Sequence, residues 1–229
     1  MHEYEHFIVK NQRKWERKNR IIYSESEENI FVWHSKVLDS DHKLVLEKYV
    51  SATPSKICDL GTCSGEQAIE MAKLGHSVIG TDVSRTALKH AKKNALQYED
   101  VDITFIRDDV LESNLESEQF DLIVDRGCFH SFYNIIPAKT YIDTVKRLLK
   151  PGGVFMVKVM SSEAHIGDHF DFYNGKKHIM PYRFNSSDLV EVFNKDFEFL
   201  ENWQSVFQTE NLDQPAAAEV AIFRKQNEK

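Results

Sequence analysis

The 229-residue sequence has only three cysteines, Cys58, Cys63 and Cys128, and no C-x-x-C pair. One falls in a predicted strand and two in loops, which argues against a disulfide scaffold and a zinc site. No apolar run approaches membrane-spanning length, and MHEYEHFIVK at the N-terminus has no secretory apolar core. Basic excess is also lacking. The net charge of −7 disfavours broad contact with nucleic acid or a membrane surface. There is no internal repeat and no low-complexity segment. What remains has an ordinary globular composition and a length suited to one domain spanning residues 1–229, expected to be cytoplasmic and to have neither a nucleic-acid nor a membrane partner.

The most informative stretch is Ser55 to Ser84, SKICDLGTCSGEQAIEMAKLGHSVIGTDVS. An apolar run, Ile57–Leu60, leads into the glycine loop Gly61–Gly65. A helical pattern follows over Glu66–Leu74, ended by Gly75, and a second apolar run at Val78 and Ile79 reaches Asp82. Strand, glycine turn, helix and strand make the first half of a nucleotide-binding α/β sheet. Gly61 and Gly65 let backbone approach a ligand, and Asp82 stands where an acid can take two ribose hydroxyls. A dinucleotide fingerprint wants glycines at 61, 63 and 66, and only Gly61 answers. An acidic residue followed by glycines at 61, 63 and 65 is met by Asp59, Gly61 and Gly65, with Cys63 the one departure.

Before this stretch, residues 1–50 form a helical and aromatic leader. The basic run Lys10–Arg20 reads as a helix, either a solvated face or a local contact for an anionic substrate or RNA. Ile21–Trp33 reads as an ordered loop whose aromatics pack the sheet or roof a pocket, and Asp39–Val50 as a helix capped near Ser40 or Asp41. After it, the expected elements are a helix from Ser84 to Tyr98, a strand at Ile103–Ile106 and a strand at Phe120–Val124. A helix at Pro137–Leu149 is broken by KPGG, and a strand follows at Val154–Val159. The polar segment Ser161–Pro181 reads as a lid. A helix at Asp188–Asn194, capped by Ser186 or Ser187, precedes two strands, Phe197–Phe207 and Ala217–Arg224, with the pairing of an antiparallel hairpin. The alternation argues a Rossmann-like, doubly wound, mostly parallel sheet with helices on both faces.

On Asp59, the Gly61–Gly65 loop, Asp82, Asp109, KPGG and the terminal hairpin, residues 55–224 resemble the class I S-adenosylmethionine-dependent methyltransferases. The resemblance implies a single methyltransferase domain, with residues 51–229 as a seven-stranded core and 1–50 as leader and lid. It implies S-adenosylmethionine as cofactor, leaving as S-adenosylhomocysteine. By the same resemblance Asp59, Gly61, Thr62, Cys63 and Gly65 surround its methionine part, Asp82 and Val83 its ribose, and Asp109 and Val110 its adenine.

The fourth strand ends in VDRGCFHSF, without the N/D-P-P-Y/F motif of base-amino methyltransferases. This loop and PYRFNSSDL at 181–189 are similar to small-molecule methyltransferases of the thiopurine and tellurite-resistance type, implying a small-molecule methyl acceptor. His130 is then a candidate general base or orienting group, or a histidine bonded to loop backbone. Asp125 and Arg126 either contact the cofactor or pair with each other, and Trp33, His34, Arg126, Phe129 and His169 are candidate acceptor contacts. His165, Asp168, His169 and His178 lack a firm metal-ligand spacing, so no metal is expected. The rivals are methylation of RNA or protein, a silent cofactor-binding partner protein, and a nicotinamide oxidoreductase.

Overall fold

A computed structural model describes residues 2–24, 34–50, 53–131, 138–164, 172–173, 176–177, 181–209 and 215–226. Its helices are α1 (His2–Ser24), α2 (Ser40–Tyr49), α3 (Glu66–Lys73), α4 (Arg85–Ala95), α5 (Ala138–Leu148) and α6 (Ser186–Phe193). The strands of the main sheet are β1 (Lys56–Leu60), β2 (Ser77–Asp82), β3 (Ile103–Arg107), β4 (Phe120–Arg126), β5 (Leu149–Met160), β6 (Glu198–Val206) and β7 (Ala217–Arg224). They run in the order 3-2-1-4-5-7-6. β1 to β5 are parallel, and β7 is antiparallel to both β5 and β6. This is the expected doubly wound sheet with its terminal hairpin.

The sheet is buried on both faces, as a parallel sheet requires. Alternate residues go to opposite sides: Ile123, Phe155, Val157 and Phe223 join Tyr141, Val145 and Phe193 beneath α5 and α6. Leu122, Val124, Met156 and Ile222 join Val45, Ile69 and Leu88 beneath α2, α3 and α4. The register sets Leu60 beside Thr81 and Asp125, so the strands' carboxyl ends come level. Ligands bind at that edge of an open α/β sheet, near the reversal of strand order between β1 and β4.

Four boundaries differ from expectation. α1 continues through Ser24, so Ile21–Ser24 are helical, while 25–33 lie outside the described residues. The cap of α2 is Asp39, whose carboxylate accepts from Asp41 N at 3.1 Å, and the cap of α6 is Asn185, which accepts from Asp188 N at 2.8 Å. In both cases an Asx side chain one residue earlier than predicted outcompetes serine for the free N–H groups. KPGG does not lie outside β5. Leu149 already pairs with Phe120, and the ladder resumes at Val154 after a register shift.

The cap of α2 is also the centre of a buried ion cluster. Arg126 and Lys158 are register partners on β4 and β5, so two cations stand side by side. Lys158 Nζ donates to both Asp39 oxygens at 2.9 and 2.7 Å and to Asp41 Oδ2 at 2.6 Å. Arg126 Nε donates to Asp39 Oδ2 at 2.8 Å and another of its nitrogens donates to Gln208 O at 2.6 Å. Asp41 also accepts from Trp203 Nε1 and Ser205 Oγ, at 2.8 and 2.6 Å. Burial alone would raise the Asp39 pKa, but His42, Lys158 and Arg126 together hold it far below the usual carboxylate range. The Lys158 side chain is fully buried, so removing it leaves two buried carboxylates underpaired. Lys158→Met should therefore lower unfolding free energy by ~3–5 kcal/mol in urea denaturation. A loss under about 1 kcal/mol would show that Arg126 alone carries the cluster.

Candidate active site

The glycine loop owes its shape to three alternate residues with positive φ. Gly61, Cys63 and Gly65 have φ of 71°, 52° and 82°. Cys63 therefore adopts the left-handed conformation that favours glycine, at the position where the motif wants one. Gly65 cannot carry a side chain, because a Cβ there would lie 2.6 Å from the Phe105 ring. Gly61 faces Cys128 closely enough that a Cβ would sit 2.9 Å from the Cys128 Cβ, which draws the loops after β1 and β4 together.

Four carboxylates gather at the carboxyl ends of β1 to β4, where these loops meet. Asp59 is buried and accepts from Thr62 Oγ1 at 2.6 Å; burial raises its pKa against that hydrogen bond. Asp82 accepts from Ser84 N at 2.8 Å and Cys63 N at 3.1 Å, yet burial carries it up to about 6. Asp109 accepts from Leu111 N at 3.1 Å and Gln12 Nε2 at 2.9 Å, and burial again raises it. Asp125 goes up to about 7 for the same reason. Burial pushes the Cys128 thiol well above its ordinary value, and Asp125, Asp82, Asp109 and Asp59 add to the rise, so Cys128 stands amid all four acids. Val110 is buried beside Asp109.

Several predicted site residues serve the fold instead. The Asp125 carboxylate turns inward, accepting from Cys128 N, Phe129 N and Tyr141 Oη at 2.8, 2.9 and 2.5 Å. It holds the turn after β4 rather than offering its side chain to a cofactor. Arg126 pairs with Asp39. Phe129 is fully buried among Tyr141, Phe184 and Phe193 and belongs to the core. His34 bonds Ser64 Oγ at 3.2 Å and pairs with Glu66, so it braces the glycine loop. Trp33, His165, Asp168, His169 and His178 lie outside the described residues.

His130 cannot act as a general base in this arrangement. Its Nδ1 accepts from Met160 N at 2.9 Å, which leaves the ring proton on Nε2. Burial, with Lys18 nearby, lowers its pKa to about 3. The ring is the loop-bound histidine that one reading of the sequence anticipated. It also anchors the feet of the segment beyond β5, where Tyr182 N donates to His130 O at 2.9 Å and Ser162 N to Phe184 O at 2.7 Å.

The sequence places a roof in the leader's aromatics, whereas the residues of α1 that reach the glycine loop and the acids are mostly polar. α1 lies along the cleft edge, with Gln12 on Asp109 and with Tyr23 Oη 3.1 Å from Cys63 Sγ. Glu16 accepts from Ser84 Oγ and Thr86 Oγ1 at 2.9 and 2.8 Å. Tyr23 also stacks on His90, with ring centroids 4.0 Å apart. Lys18 lies 4.4 Å over the Trp15 ring, and burial, reinforced by Lys14, lowers its pKa to about 8 despite Cys63. Gln12, Glu16, Asn19 and Tyr23 recur at helical spacing, but a polar stripe gives no hydrophobic periodicity to detect.

A family profile described as a methyltransferase domain matches residues 53–214. The chain belongs to this methyltransferase family. The match runs from just before β1 to the turn before β7 and so takes in the glycine loop and all four acids of the methyltransferase cleft. A methyltransferase of Synechocystis named sll0829, described as uncharacterized, is 31% identical over 116 residues, 50% of this chain and 51% of its own. The protein-lysine N-methyltransferase efm4 of Schizosaccharomyces pombe is 27% identical over 149 residues, 58% of this chain and 61% of its own. The methyltransferase spans between 25% and 61% of the length of the first curated relatives it matches. A Burkholderia thailandensis 1,6-didemethyltoxoflavin-N1-methyltransferase, solved with 1,6-didemethyltoxoflavin and S-adenosylhomocysteine, shares the fold at a TM-score of 0.66 and 18% identity. That likeness covers 99% of this chain and 90% of the other.

The His130 assignment predicts a pH dependence of stability. Below its ordinary pKa of 6.5 the unfolded imidazole takes up a proton that the native ring, at about 3, refuses. The unfolded state then binds more protons, so this contribution falls as pH drops through that window, by ~1.4 kcal/mol per pH unit. His130→Gln should retain the acceptor for Met160 N and lose this slope. Urea unfolding at several pH values between 7 and 5 should show the two proteins converging as pH falls. Parallel curves would show that the native ring is protonated.

Proposed function

We propose that this chain transfers the methyl group of S-adenosylmethionine to a small-molecule acceptor. The observation that carries the reading is an acid-lined cleft beneath a helical roof. Three neighbouring carboxylates, Asp59, Asp82 and Asp109, suit a ligand with a cationic centre and with hydroxyl and amino donors, and repel a pyrophosphate. S-adenosylmethionine has those groups, and its sulfonium supplies an electrophilic methyl. A nicotinamide dinucleotide does not fit this donor set.

In this reading Asp82 takes the two ribose hydroxyls on lone pairs that Ser84 N and Cys63 N leave open. Asp109 accepts the adenine amino group where Gln12 now donates, and the Val110 N–H faces a ring nitrogen. Asp59, Thr62 and the loop from Gly61 to Gly65 hold the methionine end. Catalysis is then alignment and exclusion of water, with α1 closing the cleft. The roof also favours a small acceptor, because α1 covers the edge from which a large one would approach. The toxoflavin-pathway enzyme, whose crystals hold a small acceptor, supports this. The efm4 relative, named for protein lysine, marks the alternative.

Screening the purified protein with methyl-labelled S-adenosylmethionine against small thiols, phenols and amines, and against a protein extract, tests the acceptor class. Label transferred only to protein would overturn the small-molecule reading. Asp82→Ala should weaken S-adenosylhomocysteine binding by ~2–4 kcal/mol in calorimetry, with the far-ultraviolet spectrum unchanged. Because the ribose hydroxyls need the ionised carboxylate, wild-type affinity should fall as pH drops below about 6. A pH-independent affinity would remove Asp82 from the ribose. Cys63→Gly should retain binding, since φ at 63 is already positive, whereas Cys63→Leu should crowd the loop and weaken it. Full affinity in the leucine variant would place the ligand elsewhere.

A further inference from the structure

α1 also borders a groove of about 460 Å³ whose arginines the methyl-transfer reading does not use. Arg13, Arg17 and Arg20 line it from α1, Arg85 from the start of α4 and Arg107 from the end of β3. All five are exposed. They gather here although the whole chain carries a net charge of −7. The one acid in the lining, Glu16, is already engaged. Burial would raise its pKa, but hydrogen bonds from Thr86, Ser84 and Arg20 bring it down to about 2, and its oxygens are held at the cap of α4.

The cations of α1 are sorted by type. Lys14 and Lys18 lie over the Trp15 ring, at 5.5 and 4.4 Å, and the arginines turn to the groove. Guanidinium is the group that grips phosphate with two parallel donors. At a rise of ~1.5 Å per residue, Arg13 to Arg20 forms a row ~10 Å long. Arg107 fixes the opposite wall, with Nε donating to Val83 O at 3.0 Å.

We propose that this groove binds a ligand carrying two or more neighbouring phosphates. Free polyphosphorylated metabolites and an RNA backbone share that chemistry. Among the described residues no aromatic ring lines the groove, and the recognition proposed is of phosphate and not of stacked bases. The groove meets the adenosine end of the proposed cofactor site at Gln12 and Val83 but does not include Asp82 or Asp109, so its arginines are left for a second ligand.

The test uses the full chain saturated with S-adenosylhomocysteine and two probes. Tripolyphosphate is followed by calorimetry and a short labelled RNA hairpin by fluorescence anisotropy. The charge-reversal pair Arg13→Glu and Arg17→Glu is compared with Lys89→Glu and Lys92→Glu, an equal change of charge on the exposed face of α4. At least one probe should bind wild type and the α4 pair alike and bind the α1 pair about ten-fold more weakly, with a shallower salt dependence. Tripolyphosphate binding alone identifies a free phosphorylated ligand, and RNA binding a backbone. The proposal is overturned if neither probe binds, if both pairs weaken binding equally, or if S-adenosylhomocysteine displaces the probe. Unchanged S-adenosylhomocysteine affinity in the α1 pair separates this outcome from a failure of the cofactor reading.

Discussion

The pairing of Lys158 and Arg126 with Asp39 is the interaction on which the working edge of the molecule depends. Two cations on adjacent strands repel each other unless an anion bridges them, and the nearest anion belongs to the cap of α2. That bridge ties the leader to the centre of the sheet. Asp39 N donates to Gln67 Oε1 at 2.8 Å, and Gln67 Nε2 donates to Ser35 O and Val37 O, which extends the tie to α3. Asp41 carries it to β6 through Trp203 and Ser205. One buried cluster thus sets the positions of α2, α3, β4, β5 and the hairpin together. Its charges are paired inside a low-dielectric core, where a missing partner is costly, and this ties the cluster to a single arrangement.

Above that foundation the methyltransferase cleft gathers carboxylates that would not ordinarily share a site. Burial raises each of Asp59, Asp82, Asp109 and Asp125, and the acids reinforce one another. The protein answers with local donors: Thr62 Oγ1, the N–H groups of Cys63, Ser84 and Leu111, and the side chains of Gln12 and Tyr141. A ligand rich in donors and positively charged near the loop relieves the same electrostatic load. In the proposed function, cofactor binding and fold stability are coupled through these acids, and α1, which supplies Gln12, is the element placed to respond.

The same helix faces two ways. Its inner stripe meets the acids, and its outer stripe presents arginines to a groove that lies against the adenosine end of the cleft. A phosphorylated ligand held on the outer face would steady α1 and with it the roof. That offers a physical route from the groove to the methyl-transfer site through one rigid element.

The amino-acid sequence determined the alternation of strands and helices, the glycine loop and the positions of Asp59, Asp82 and Asp109, because these follow from local patterns: alternation of apolar runs, glycines at turns and acids at strand ends. It also contained both readings of His130. Only the tertiary structure decided between them, by placing Met160 N on Nδ1. The same holds for Arg126, whose partner Asp39 is 87 residues away in the chain, and for Phe129, buried by aromatics from α5, α6 and the segment before α6. Cys63 read as a defect in a motif until its φ of 52° showed the left-handed backbone that favours glycine. The sequence expected the leader to roof the site through its aromatics, but not the polar stripe of α1, whose residues act through long-range hydrogen bonds and leave no hydrophobic period. Local chemistry is written along the chain, whereas the pairing of a buried charge depends on which distant segment the fold brings to it.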